Sequence, residues 1–284
     1  MSGSSEGALR LLFLGDVVGR SGREAVISRL RGLRKAWGLD FVVVNAENAA
    51  GGFGITAAIC EELLDAGADC VTLGNHAFDQ REALAYIERQ PRLLRPINYP
   101  SGTPGRGAGI FEAASGARVY VANVQGRVFM DQLDDPFAAI DRELKRVGAA
   151  REAHAVVIDM HAETTAEKMA MAHFVDGRAS LVAGTHTHAP TADAQILVKG
   201  TGYISDAGMC GDYDSVIGMR KEEPIRRFVE KTPGARYEPA MGEGTLCGVG
   251  VDIDRETGLA LAIAPLRLGG RLSQCWPGFW GGRP

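Results

Sequence analysis

A chain of 284 residues, 45% hydrophobic and 23% charged with both signs mixed, can bury a sizeable core and does not have the composition of a disordered protein. Its formal net charge of −4 offers no basic field for duplex nucleic acid or an anionic membrane, although a small phosphorylated molecule held through metals or local groups remains open. No apolar run reaches the roughly 18 residues of a membrane helix.

In chain order, short β-rich runs alternate with amphipathic helical stretches. Residues 8–14 are apolar apart from Arg10 but run straight into Gly15-Asp16 with no small-residue cleavage site, so a signal peptide is not expected. A buried strand at 11–14 precedes a helix over 22–37. A strand at 41–44 leads to a helix over 56–66, where Thr56 with Glu61-Glu62 behind it looks like a capped start. A strand at 70–73 and a helix over 81–90 come next, then a strand at 119–124 and a helix over 136–149. After a strand at 155–158, a helix over 164–174 opens on Thr165 with Glu167 and Lys168, and a strand follows at 181–183. From Tyr203 onward the pattern becomes strand-dominated, and 247–253 and 259–266 flank the turn Asp254–Gly258, a hairpin signal. The arrangement is layered α/β, with a mixed sheet or two stacked sheets, in one domain over 1–268. A Gly/Trp-rich tail over 269–284 carries Trp276, Phe279 and Trp280, which can dock on the core or on a neighbouring subunit. The five cysteines are scattered without CxxC spacing, and Cys60 and Cys70 fall in apolar patterns, as buried thiols in a reducing cytoplasm do.

The chemistry collects after the strands. Gly15-Asp16 follows the first, Asn45-Ala46-Glu47-Asn48 the second, and Gly74-Asn75-His76 the third, with Asp79 three residues on. Asp159, His161 and Glu163 follow the strand at 155–158, and Gly184-Thr185-His186-Thr187-His188 the strand at 181–183. Open α/β sheets build their sites at this carboxyl edge. A lone Asp after a strand is usually a cap or a turn residue, and "NAEN" alone makes a turn. Four of the six histidines in these few places are not accounted for that way. His154 precedes its strand and His173 sits late on a helix, so both read as ordinary positions.

Imidazole and carboxylate together suit two divalent or mixed-valence metal ions, iron or manganese foremost and zinc also fitting, with no thiolate nearby to demand a softer metal. In an extended segment His186 and His188 would point the same way; in a turn they splay towards two metals. A carboxylate such as Glu47 can bridge two ions, and a pair so placed clamps a hydroxide and a phosphate. A histidine outside the metal shell could protonate the leaving alkoxide. Arg106, among glycines, either contacts a substrate phosphate or shapes a tight loop, and Arg127 either fixes a phosphate or pairs with Asp131.

The order Asp, acidic–Asn, Gly-Asn-His, His, Gly-x-His-x-His resembles that of the calcineurin-like metallophosphoesterases. The stretches "LGDVVGRSGR", "VVNAENAAGGFGIT", "TLGNHAFD", "DMHAETTAEK", "GTHTHAPTAD" and "DAGMCGDYDSVIGM" resemble, within them, the bacterial YmdB-type phosphoesterases, over roughly residues 11–266. This resemblance implies a four-layer α/β/β/α sandwich and a cytoplasmic phosphodiesterase of cyclic nucleotides, notably 2′,3′-cyclic ones, working by attack of a metal-bridging hydroxide. It implies Asp16, Glu47, Asn48 and His188 around one metal, Glu47, Asn75, His161 and His186 around the other, and His76 as the general acid. Two positions depart from the wider superfamily: Val18 stands where a histidine is usual, and Glu47 where aspartate is commoner. A phosphomonoesterase or protein phosphatase on the same site, or a metal-bound regulatory scaffold, is the alternative. The expected partners are a small phosphorylated substrate and, from the apolar tail, further copies of the chain as a homo-oligomer.

Overall fold

Alternation along the first strand decides the layering. In β1 (Leu9–Leu14), Leu9, Leu11 and Phe13 face one apolar cluster while Leu12 and Leu14 face another, because successive side chains of a strand point to opposite faces. The computed structural model describes residues 7–150, 153–232, 234–282 and 284; residues 1–6, 151, 152 and 233 of the expected domain and residue 283 of the tail lie outside them.

The chain continues through α1 (Gly19–Trp37), β2 (Phe41–Asn45), α2 (Ala57–Ala66), β3 (Cys70–Thr72), α3 (Ala83–Tyr86) and β4 (Leu93–Leu94). Next come β5 (Ala108–Glu112), β6 (Arg118–Gln125), α4 (Pro136–Ala150), β7 (Ala155–His161), α5 (Thr165–Phe174) and β8 (Leu181–Thr185). It closes with β9 (Gln195–Ile196), β10 (Gly202–Ile204), α6 (Glu222–Glu230), β11 (Leu246–Ile253) and β12 (Ala260–Leu268). Two six-stranded sheets result, ordered β12-β11-β1-β2-β3-β4 and β5-β6-β7-β8-β10-β9. β1 to β4 run parallel, as do β6, β7, β8 and β10, so their carboxyl ends share an edge within each sheet.

Leu9, Leu11, Phe13, Phe41 and Val43 of one sheet meet Val119, Val121, Val157 and Leu181 of the other. On the outer face of the first sheet, Leu12, Leu14 and Val42 pack on Val26, Leu30 and Leu33 of α1 and Leu63 of α2. On the outer face of the second, Tyr120, Ile158 and Val182 pack on Ile140 and Leu144 of α4 and Met171 of α5. That is the α/β/β/α sandwich expected from the sequence. Each fully buried leucine, valine or phenylalanine contributes about 1.5–3 kcal/mol of transfer free energy. Trp280 of the tail is buried against Trp37, with ring centroids 5.6 Å apart, and donates from Nε1 to Asp252 Oδ1 at 2.5 Å.

Several local expectations shift. The helix expected over 81–90 shortens to α3, with turns at 81–82 and 87–89 on either side. The cap of α5 is Thr164, whose hydroxyl accepts from Glu167 N, one residue earlier than expected; Thr56 caps α2 in the same way. The region after β10 is mostly irregular and carries α6, whose Ile225, Phe228 and Val229 keep helical spacing but stay exposed. β7 runs three residues beyond the expected end, since its ladder with β6 and β8 continues through Asp159 and His161. Among the described residues, no helix is long and apolar enough to cross a membrane.

Candidate metal centre

Parallel strands carry the polar residues to one place. Asp16 follows β1, Glu47 and Asn48 follow β2, Asn75 and His76 follow β3, His161 ends β7, and His186 and His188 follow β8. The structure brings all eight residues singled out in the sequence together. Ligand atoms of Glu47, His161 and His186 lie within 4.8 Å of one another, and so do those of Asp16, Glu47 and His188. Glu47 belongs to both groups. Gly74 permits this closeness, since a Cβ there would come within 2.3 Å of both Glu47 Oε2 and His161 Nε2.

The turn holding the histidine pair is strained. His186 has φ 97° and His188 φ 64°, a region that non-glycine residues rarely adopt. Two successive reversals of this kind aim the rings apart. His186 Nδ1 lies 3.1 Å from His161 Nε2, whereas His188 Nε2 lies 3.9 Å from Asp16 Oδ1 and 3.2 Å from Asn48 Nδ2.

Each ring's far nitrogen is tied down, which fixes the nitrogen left for the centre. His188 Nδ1 donates to the Ile217 carbonyl at 2.8 Å. His161 Nδ1 donates to Thr185 Oγ1 at 2.9 Å, and that hydroxyl donates to Asp159 Oδ1 at 2.6 Å. Asp159 also accepts from Thr72 Oγ1 and Asn45 Nδ2, so one buried carboxylate ties three strands to the imidazole. His186 Nε2 faces Glu163 Oε2 at 3.1 Å. His161 Nε2 then meets Asn75 Oδ1 at 2.9 Å, Glu47 Oε2 at 3.2 Å and His186 Nδ1 at 3.1 Å, so that in the neutral ring this nitrogen faces only acceptors. Asp16 Oδ2 accepts from His186 N, but Asp16 Oδ1 is buried with no hydrogen-bond partner among the described residues. Such an arrangement leaves the interior short of positive charge, and cations of the oxygen- and nitrogen-binding kind fit it.

Proton affinities reflect the same shortage. Burial pushes the Asp16 carboxyl up to about 6, against the pull of His188 and His161. Burial would also raise Glu47, but His161 beside it holds that carboxyl far below the usual range. For His161, burial is outweighed by Glu47, and its pKa rises to about 9. Burial and the neighbouring His161 pull His186 down to about 3.

His76 stands at the rim. Its backbone N donates to Glu47 Oε2, its Nδ1 pairs with Asp79 Oδ2 at 2.8 Å, and its ring meets Phe53 edge-on, with centroids 5.2 Å apart. Asn48 turns its NH₂ towards Glu47 and His188. Val18 is buried with Met209 and Met219 and offers no ligand. Arg127 lies 3.9 Å from Asp135 rather than pairing with Asp131, and Arg106 is exposed on its loop. All five cysteines are unpaired, and burial pushes the thiols of Cys60 and Cys247 up to about 12. The supporting roles of Asp159, Thr185, Glu163 and Asp79 had no signal beyond their nearness to the ligand candidates.

The relatives agree with this architecture. A 2′,3′-cyclic-nucleotide 2′-phosphodiesterase of Bacillus subtilis (strain 168) is 46% identical over 255 residues, 90% of this chain and 95% of that protein. The crystal structure of a hypothetical protein from Thermus thermophilus superposes with a TM-score of 0.86 at 42% identity, covering 93% of this chain and all of the other. A phosphatase from Mycoplasma pneumoniae superposes with a TM-score of 0.85 at 31% identity, covering 98% of each chain. The profile of the YmdB-like proteins matches residues 12–266, and the chain belongs to that family.

Proposed function

We propose that the chain is a phosphodiesterase that opens 2′,3′-cyclic nucleotides at a two-metal centre, with Asp16, Glu47, Asn48 and His188 around one cation and Glu47, Asn75, His161 and His186 around the other. The observation that carries this reading is the pair of overlapping ligand groups sharing Glu47, beside a buried Asp16 oxygen without a hydrogen-bond partner among the described residues. The name of the Bacillus subtilis relative supports the substrate class. The mixed imidazole and carboxylate donors suit iron or manganese, and zinc fits as well. When bound, such a pair polarises phosphoryl oxygens and makes hydroxide available at neutral pH.

The chain's own residues do the rest. Glu47 and Asp16 concentrate negative charge where cations are to sit. Asn48 would ligate through Oδ1 after its amide turns over from the observed orientation. Asp79 accepts from His76 Nδ1–H and orients the ring, leaving Nε2–H to protonate the departing ribose oxygen. Cytoplasmic residence and self-association belong to the same proposal: the thiols are free, and Ile225, Phe228 and Val229 leave an apolar helix face in solvent.

Elemental analysis of unsupplemented protein, joined to an assay with 2′,3′-cyclic AMP, a nucleoside monophosphate and a phosphopeptide, tests the reading. The expected result is two metal equivalents per chain and preference for the cyclic substrate, with Glu47→Gln losing both cations and more than about 100-fold in turnover. Fewer than two equivalents in the wild type, or a preference for either monoester, overturns it.

A further inference from the structure

Behind the His186–His188 turn lies an ion pair that supplies none of the proposed ligands. Lys168 of α5 is 1% exposed and donates from Nζ to Asp206 Oδ2 at 2.9 Å, and Asp206 is also 1% exposed. The same Asp206 oxygen accepts from Thr187 N at 3.1 Å and from Thr187 Oγ1 at 2.6 Å. Its other oxygen accepts from Gly208 N at 2.8 Å. Thr187 is the residue between the two histidines, so both its backbone donor and its side chain end on this carboxylate. Gly184 clears the way for the lysine: a Cβ there would lie 2.9 Å from Lys168 Cδ and 1.8 Å from the Ser205 carbonyl oxygen.

Stability does not account for the pair. Taking two charges out of water costs about what their attraction returns, and apolar side chains of similar volume serve a core equally well or better. An apolar pair could not hold Thr187 by two hydrogen bonds, however. The peptide it would release is flanked by two positive-φ histidines, a backbone conformation that persists only where its surroundings hold it. Freed of the carboxylate, the turn would relax towards ordinary backbone geometry and lose the splay of its rings. An Asp206 lacking its lysine would instead be an unneutralised buried charge, so the two residues act together.

We infer that Lys168 and Asp206 are a positioning pair whose grip on Thr187 turns His186 and His188 towards two different cations. The inference rests on the two-metal reading above. It is tested by Mn²⁺ titration calorimetry and metal analysis on the full chain, with circular dichroism of the metal-stripped protein as the fold control. The double variant Lys168→Met/Asp206→Leu removes both charges and the oxygen that accepts from Thr187 at once, and leaves no charge stranded. It should keep its fold yet bind Mn²⁺ about 10–100-fold more weakly, retaining closer to one equivalent than two. Thr187→Val, which deletes only the hydroxyl contact, should weaken binding by less, and Thr187→Ser should match wild type.

Two equivalents at wild-type affinity in the folded double variant would overturn the inference. Should the double variant fail to fold, equal Mn²⁺ affinities for Thr187→Val and Thr187→Ser would do the same. A wild-type chain that binds fewer than two Mn²⁺ ions sinks the dinuclear reading instead, which keeps the two failures apart.

Discussion

Within β7 one face of one strand changes character over two residues. Ala155 and Val157 point into the layer between the sheets and pack among leucines and valines; Asp159 and His161, next on that face, enter a hydrogen-bonded network. Both regions are fully buried, yet they are stabilised differently. The apolar floor needs only close packing, and its contribution scales with area removed from water. The polar roof must satisfy each group it buries, because an unpaired donor or acceptor costs about 1–3 kcal/mol. Its hydrogen bonds run outward from His161 to Thr185 to Asp159, and Glu47 accepts from Asn48 and from His76 N, but Asp16 Oδ1 is left without a hydrogen bond among the described residues. That oxygen belongs to the Asp16, Glu47 and His188 group, where a cation fits.

Substitutions can set floor against roof. At the rim, His76→Ala should cost about 10²–10⁴-fold in turnover of the cyclic substrate. Metal content should stay at wild-type level and the loss should shrink with good leaving groups; wild-type turnover would remove His76 from its role. In the floor, Leu11→Ala should cost about 2–5 kcal/mol by denaturant unfolding while the folded fraction binds metal normally, since Leu11 is completely buried and far down the strand from the ligands. A parallel loss of metal affinity would mean that the two regions are not separable. In the roof, Asp159→Asn should weaken metal binding about 10–100-fold through the Thr185–His161 relay, with a smaller change in unfolding free energy than Leu11→Ala.

The smallest expected effect is a pH dependence of the metal-stripped protein. His186 has its pKa pulled from 6.5 to about 3, so between those values the unfolded chain binds the proton that the folded chain refuses. Titration of His186 therefore lowers stability as pH drops through that window; Glu47, also depressed, adds a loss of the same sign below about 4.5, and Asp16, raised to about 6, opposes them between about 6 and 3.8. His186→Asn should make the decline between pH 6.5 and 3 shallower in thermal melts of EDTA-treated protein. An unchanged slope would show that His186 does not carry it.

Much of this was legible in one dimension. The two-residue alternation of β1 and the three- and four-residue spacing in α1 and α2 specify which side chains are apolar and on which face, because those periods are properties of the local backbone. Residue type and position after a strand marked the clusters at the common edge of the parallel strands, and the family resemblance singled out Asp16, Glu47, Asn48, Asn75, His76, His161, His186 and His188 within them. A shortened α3 and a displaced cap on α5 are errors at element ends, and on α5 a single hydroxyl, that of Thr164, decides.

What lay beyond the sequence depends on which strands become neighbours. His186 N meets Asp16 across 170 residues of chain, and Asn45 meets Asp159 across 114, so no local period encodes them. Sheet order puts Thr185 beside His161 and thereby selects the nitrogen that ring presents; it also threads Lys168 past Gly184 to Asp206. The residue types at the centre were set by the sequence, but their protonation, their aim and their supports were set by packing, because hydrogen-bond partners are chosen by proximity in space.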